Sequence, residues 1–156
     1  MSIEIRAAKV KDAASLTILI LRSKQSNGYD EVFMRACRDE LRVTPETLSS
    51  GEYWVAHCGN SLCGCASLIA NHHTAVGRIA DFFIDPNWQR QGVGRLLWDK
   101  IQTRALEQQL TKLYLDADPF AVPFYEAMGF QVAGEAASGS IKGRMLPRME
   151  IRIDNI

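Results

Sequence analysis

Ile84-Asp85-Pro86-Asn87-Trp88-Gln89-Arg90-Gln91-Gly92-Val93-Gly94-Arg95-Leu96-Leu97 carries an apolar strand into a helix through a proline-marked loop and two glycines. At a helix N-terminus the first backbone N–H groups have no intrahelical partner, and the macrodipole adds about half a positive charge, so a pyrophosphate can be held by backbone alone. Gly92 and Gly94 lack the Cβ atoms that would fend off such a ligand, while Arg90 and Arg95 bring guanidinium groups able to make charge-assisted hydrogen bonds. The spacing is not the dinucleotide pattern G-x-G-x-x-G, because its third position is Leu97, and no G-K-[ST] follows as in a P-loop. Two glycines ahead of a helix also mark ordinary turns and close packing, so the stretch acquires meaning only from what surrounds it.

Working upstream, 77–84 reads as the third strand of a meander. It follows a hairpin made of Tyr53-Trp54-Val55-Ala56-His57-Cys58, the turn Gly59-Asn60-Ser61 and the run 62–69. Before the hairpin, Thr44-Pro45-Glu46-Thr47 has a capping Thr, a Pro at the first helical position and an acid in the first turn, and Gly51 ends that short helix. A helix is expected over 31–41 and another across Ala14, Leu16, Ile18, Leu19 and Leu21, with Asp12 as its early acid; Ile3 and Ile5 alternate with charges as a first strand. Downstream, Leu96, Leu97, Ile101 and Ala105 keep helical spacing, and Leu113-Tyr114-Leu115 is a short strand. A helix over 121–128 ends at Gly129, a strand begins at Phe130, the Gly/Ser/Ala-rich 134–143 reads as a loop, and Met149, Ile151 and Ile153 alternate as a last strand.

The composition narrows the class. With 156 residues and 47% hydrophobic content, the whole chain 1–156 suits one domain around one substantial core. Lys+Arg and Asp+Glu both number 18, so there is no basic footprint for nucleic acid and no charge bias toward an anionic membrane. The opening Met1-Ser2-Ile3-Glu4-Ile5-Arg6 lacks the pattern of a secretory signal, and no run of apolar residues is long enough to span a membrane, so a cytoplasmic location is expected. Cys58, Cys63 and Cys65 crowd one hairpin near His57, His72 and His73, but without C-x-x-C spacing. Free thiols packed as small hydrophobes are expected, and no metal site.

With these elements in place, Gln89-x-x-Gly92-x-Gly94 after an apolar strand resembles the acyl-CoA motif of the GNAT (GCN5-related) N-acetyltransferase superfamily, Q/R-x-x-G-x-G/A. A second stretch, Pro123-Phe124-Tyr125-Glu126-Ala127-Met128-Gly129-Phe130, is similar to that family's F-Y-x-x-x-G-F, and the two together cover 79–130. The resemblance implies a single-domain α/β (α+β) GNAT fold. Its central, mixed, mostly antiparallel sheet has about seven strands, splayed between the fourth and fifth, and about four flanking helices. Here those two strands would be 77–84 and 111–116.

The resemblance further implies acetyl-CoA as co-substrate, a small-molecule or peptide primary amine as acceptor, and direct attack of the amine. Backbone groups of Phe82, Phe83 and Ile84 would take the pantetheine and acetyl end, with an N–H of Phe83 or Ile84 on the acetyl oxygen. The turn Gln89, Arg90, Gln91, Gly92, Val93, Gly94 and Arg95 would take the pyrophosphate. Tyr125 matches the position of the family's proton donor to the departing thiolate, although an isolated Tyr on an amphipathic helix is more often a core residue. The neutral form of an alkylamine lies about 4.6 kcal/mol uphill from its protonated form at neutral pH, so some group must accept a proton. In Ala80-Asp81-Phe82-Phe83 the acidic pair of the polyamine branch is reduced to Asp81, which is a candidate base or amine anchor; a water relay is the alternative. Asp118 stands seven residues before Tyr125 where many relatives carry Asn. It can cap the following turn, but its carboxylate offers no donor to a CoA amide. A non-catalytic acyl-CoA-binding module of the same fold is the competing reading, and a homodimer is compatible with the sequence without being specified by it.

Overall fold

Local hydrogen-bonding chemistry sets the first helix starts. In the computed structural model, which describes residues 2–153, α1 (Ala13–Gln25) follows a 3-10 turn whose Asp12 carboxylate accepts the Lys9 N–H at 2.8 Å and two guanidinium bonds from Arg6 at 2.9 and 3.0 Å. Asp12 thus ties the first strand, β1 (Glu4–Ala7), to the helix that follows. Asp30 caps α2 (Glu31–Leu41) by accepting the Phe33 N–H, and Thr44 caps α3 (Pro45–Ser49) in the manner expected of the Thr-Pro signal. The expectation for 1–156 as one domain includes Met1 and 154–156, which lie outside the described residues.

The strands alternate because each face of the sheet has its own cover. Along β2 (Glu52–Cys58), Trp54, Ala56 and Cys58 enter the cluster under α4 (Val93–Glu107), which contributes Val93, Leu97, Trp98, Ile101 and Ala105. Tyr53 and Val55 point the other way, into the cluster built on Leu16, Leu19 and Ile20 of α1. β2 pairs antiparallel with β1 and with β3 (Ser61–Asn71). Cys58, Cys63 and Cys65 are free and buried, as is Cys37.

One expected strand is two. Over 77–84 the backbone forms β4 (Val76–Arg78) and β5 (Phe82–Ile84), separated by residues 79–81. β4 bridges β3 to β6 (Lys112–Asp116), with which it runs parallel, whereas β5 pairs with β3 alone. The interruption is held by Ser67, whose hydroxyl accepts the Asp81 N–H at 2.9 Å while its own N–H donates to the Asp81 carbonyl at 2.9 Å. Beyond Ile79, whose N–H reaches the Tyr114 carbonyl, the sheet therefore opens between β5 and β6, so the splay falls where it was expected, and among the described residues the strands number eight where about seven were expected.

β6 continues antiparallel to β8 (Met145–Arg152), and β7 (Gln131–Ala137) closes the far edge on β8, giving the order β1-β2-β3-β4-β6-β8-β7 with β5 beside β3. The Gly/Ala-rich stretch read as loop from 134 is thus strand as far as Ala137, its pairing with β8 overriding weak local propensity. A fifth helix, α5 (Val122–Ala127), sits between β6 and β7 after a 3-10 turn at Pro119–Ala121.

Candidate active site

The gap between β5 and β6 widens into a cleft of about 900 Å³. Its walls include β5, the turn before α4, the segment after β6, and Phe124 and Tyr125 of α5. Strand register decides which backbone groups face it. The bonds Asp81 O to Ser67 N–H and Asp85 N–H to Cys63 O make 81, 83 and 85 the positions bonded to β3, so the N–H and C=O groups of Phe82 and Ile84 turn toward the gap. Of the two residues named as carriers of the acetyl-facing N–H, Ile84 has the required direction and Phe83 does not.

At the cleft's other end Gly92 is the N-cap residue of α4 with φ +87°, and no side chain caps the helix. The Leu96 N–H is bonded back to Gly92 O, which leaves the N–H groups of Val93, Gly94 and Arg95 as the unpartnered first turn. A Cβ on Gly92 would meet nothing within 4 Å, so the space above this turn is clear of protein. Gly94 is small for another reason than the one read from sequence: a Cβ there would lie 2.9 Å from Cζ of Phe124, so this glycine admits the α5 aromatic. Gln89, Arg90, Gly92, Val93, Gly94 and Arg95 line the cleft; Gln91 does not, and its amide donates instead to Asn87 O at 3.3 Å. Arg95 is also engaged with Asp99 one turn on, at 3.5 Å.

Tyr125 is buried in an aromatic nest of Phe82, Phe124 and Phe130, with ring centroids 6.0, 5.2 and 5.7 Å away. The residue borders the cleft. Burial, with the Asp118 and Asp81 charges adding to it, pushes its pKa well above the ordinary phenol value, so the proton is held tightly at neutral pH. Asp81 borders the same cleft at the strand break. Burial raises its carboxyl above the usual range and Glu40 adds to this, while a bond from the Tyr53 hydroxyl and the Arg78 charge oppose it.

Asp118 lines the cleft too, but both its oxygens are occupied. They take the Lys24 ammonium, the Tyr29 hydroxyl at 2.9 and 3.0 Å and the Phe120 N–H at 2.9 Å, and Arg144 lies 3.8 Å away. Lys24 and its neighbours hold the carboxyl below its ordinary range despite burial. Tyr29 stacks on Phe33 at 3.9 Å, and burial lifts its hydroxyl to about 12. Asp118 thus fastens α1 and the loop before α2 to the β6–α5 segment instead of presenting a free carboxylate to a ligand.

A family model described as the acetyltransferase (GNAT) domain matches residues 18–152, nearly the whole chain. The chain belongs to the GNAT acetyltransferase family. A GCN5-related N-acetyltransferase from Rhodopseudomonas palustris superposes with a TM-score of 0.82 over 97% of this chain and 96% of its own, at 21% identity. The PaiA N-acetyltransferase of Thermoplasma acidophilum, solved in complex with coenzyme A, gives 0.79 over 97% and 99%, at 18% identity. At such identities the likeness is one of fold. In sequence, GCN5-related N-acetyltransferase 2 of Arabidopsis thaliana, a chloroplastic protein, is 33% identical over 67 residues, which span 43% of this chain and 26% of that protein's length.

Within this GNAT frame, sequence reasoning missed Tyr53, the Lys24–Asp118–Tyr29–Arg144 cluster, and Glu40, which borders the cleft and acts electrostatically on Asp81. Their partners are remote in the chain, and neither periodicity nor motif spacing signals such contacts. Among the described residues, no helix is long and apolar enough to cross a membrane.

Proposed function

We propose that this GNAT domain, taken as one unit over 1–156, transfers the acetyl group of acetyl-CoA to a primary amine of a small molecule or peptide by direct attack, and that it does so in the cytoplasm. The observation that carries the reading is the convergence on one cleft of an open strand edge, an uncapped helix N-terminus and two ionisable side chains, Asp81 and Tyr125. The residues suit a CoA ester, because the space over Gly92 is clear and the Phe82 and Ile84 edge is free to bond an amide-bearing arm as an added strand would. When bound, the thioester supplies an activated acyl carbon and a thiolate leaving group.

The chain's own groups do the rest. N–H groups of the Val93–Arg95 turn hold the pyrophosphate, with Gln89 and Arg90 beside it. The Ile84 N–H stabilises the charge that develops on the acetyl oxygen. Asp81, with its raised carboxyl, accepts the amine proton directly or through water as the C–N bond forms. Tyr125 gives its proton to sulfur as the C–S bond breaks, leaving an amide and a free thiol. Because its hydroxyl is a weaker acid in this nest than in water, the transfer belongs late in the breakdown, when the negative charge on sulfur is nearly complete.

A purely binding role for the cleft is disfavoured by the two ionisable groups beside the acetyl end. The test is turnover of acetyl-CoA against a panel of polyamines, amino acids, aminoglycosides and peptide N-termini, followed by free-thiol release. Amine-dependent release supports the reading; binding of acetyl-CoA with no release for any amine favours the non-catalytic module.

A further inference from the structure

Tyr53 stands on β2 in the cluster under α1, only 5% exposed, and is not part of the cleft wall. Its hydroxyl nevertheless lies 2.7 Å from Oδ2 of Asp81 and 3.5 Å from Sγ of Cys65. A phenol has one proton. Given to the carboxylate, it makes the stronger, charge-assisted bond, and the Cys65 thiol then donates to the phenol oxygen, forming a chain Cys65–Tyr53–Asp81 that runs from the core to the cleft. The Asp81 N–H and C=O are both tied to Ser67, so main chain and one carboxylate oxygen are fixed from the protein side. Oδ1 carries no hydrogen bond among the described residues.

We propose that Tyr53 is a positioning residue for the acetyl transfer: it fixes Oδ2 of Asp81 so that Oδ1 is the proton-accepting atom presented to the amine, and it sets the pH at which that atom becomes available. This rests on Asp81 acting as the base. The groups facing the carboxylate are Tyr53 of β2, Cys65 of β3, Arg78 of β4, Glu40 of α2 and Tyr125 of α5. Of these, Tyr53 and Arg78 favour the ionised form, and Glu40 and burial oppose it. Burial drives the pKa of Tyr53 itself, and that of Cys65, well above ordinary values, so both remain protonated across the working range and Asp81 is the member of the chain that titrates.

Tyr53→Phe keeps the ring and deletes the donor. Its acid limb in a pH profile of kcat/KM should lie about one pH unit higher than the parent's, a roughly tenfold lower rate below the limb, with recovery at high pH. Asp81→Asn should lose the limb, and adding Tyr53→Phe to it should leave the pH profile unchanged. If Asp81→Asn loses the limb while Tyr53→Phe keeps the parent's, Tyr53 has no such role and the base assignment survives. If Asp81→Asn retains the parent limb, the base assignment fails and takes the proposal with it. Should Tyr53→Phe not fold, 3-fluorotyrosine incorporation is the second test. A more acidic phenol of nearly the same shape at position 53 moves the limb downward if the bond matters, and an unmoved limb overturns the proposal.

Discussion

Gly92→Ala separates the two things a left-handed glycine does at this turn. The residue sits at φ +87°, where an L side chain costs about 1–2 kcal/mol, and its missing Cβ faces open space, so no packing penalty is added. For a domain of this size that is a fall in Tm of roughly 2–8 °C. Gly59 in the β2–β3 turn has φ +59° and is equally unobstructed but does not border the cleft, so Gly59→Ala is a matched control with a similar loss. Acetyl-CoA at about a hundred times its Kd adds about 2.7 kcal/mol of stability to a protein that binds it. The control should keep that ligand-induced rise. Gly92→Ala should lose at least the part equivalent to a tenfold weaker Kd, about 1.4 kcal/mol, because the methyl is added to the turn proposed to hold the pyrophosphate. Scanning calorimetry of both variants with and without acetyl-CoA makes the comparison. A full ligand shift in Gly92→Ala removes this turn from the binding site and refutes the reasoning.

Tyr125→Phe retains the contacts with Phe82, Phe124 and Phe130 and deletes the proton donor. Chemistry-limited turnover should fall by about a hundredfold or more with acetyl-CoA affinity nearly unchanged, as read by stopped-flow thiol release and calorimetric titration. Asp118→Asn leaves Lys24 without its carboxylate partner, both side chains being about one-eighth exposed, and should cost on the order of 3 kcal/mol at neutral pH by urea melting. The folded-state carboxyl is depressed, so its contribution is present above the unfolded-state pKa near 4 and is lost as pH falls through the folded value. The gap between Asp118→Asn and parent should accordingly narrow on acidification below about pH 4. Leu97→Ala, at a fully buried position of α4, should lose about 2–5 kcal/mol in the same melts, with the value reporting how far the core around Trp98 and Val93 can collapse.

Local signals were legible wherever the cause lies within a few residues. Thr44 and Pro45 start α3 because the cap is local chemistry, and Gly92 starts α4 because the left-handed turn is. The β4–β5 break was not visible, since Ile79-Ala80 continues an apolar run and the interruption is made by Ser67, which is adjacent only once β3 is in place. The second half of β7 hid for a similar reason: Gly134 to Ala137 offers small residues that resemble a loop, and only the partner strand β8 makes them a ladder. In the candidate site, backbone positions were readable to the level of the strand, but the choice of Ile84 over Phe83 required the register. The setting of Asp81 and Asp118 depended on Tyr53, Lys24, Tyr29 and Arg144, which chain separation conceals.

In the proposed function, acetyl passes from acetyl-CoA to an amine in the β5–β6 cleft. The most direct measurement pairs acetyl-labelled acetyl-CoA with mass spectrometry of the amine panel and simultaneous thiol release, in the parent and in Tyr125→Phe. One labelled N-acetyl group on the amine is expected for each thiol freed, with both rates falling together in the variant. Thiol release without label on any amine, or equal rates in the two proteins under chemistry-limited conditions, would contradict it.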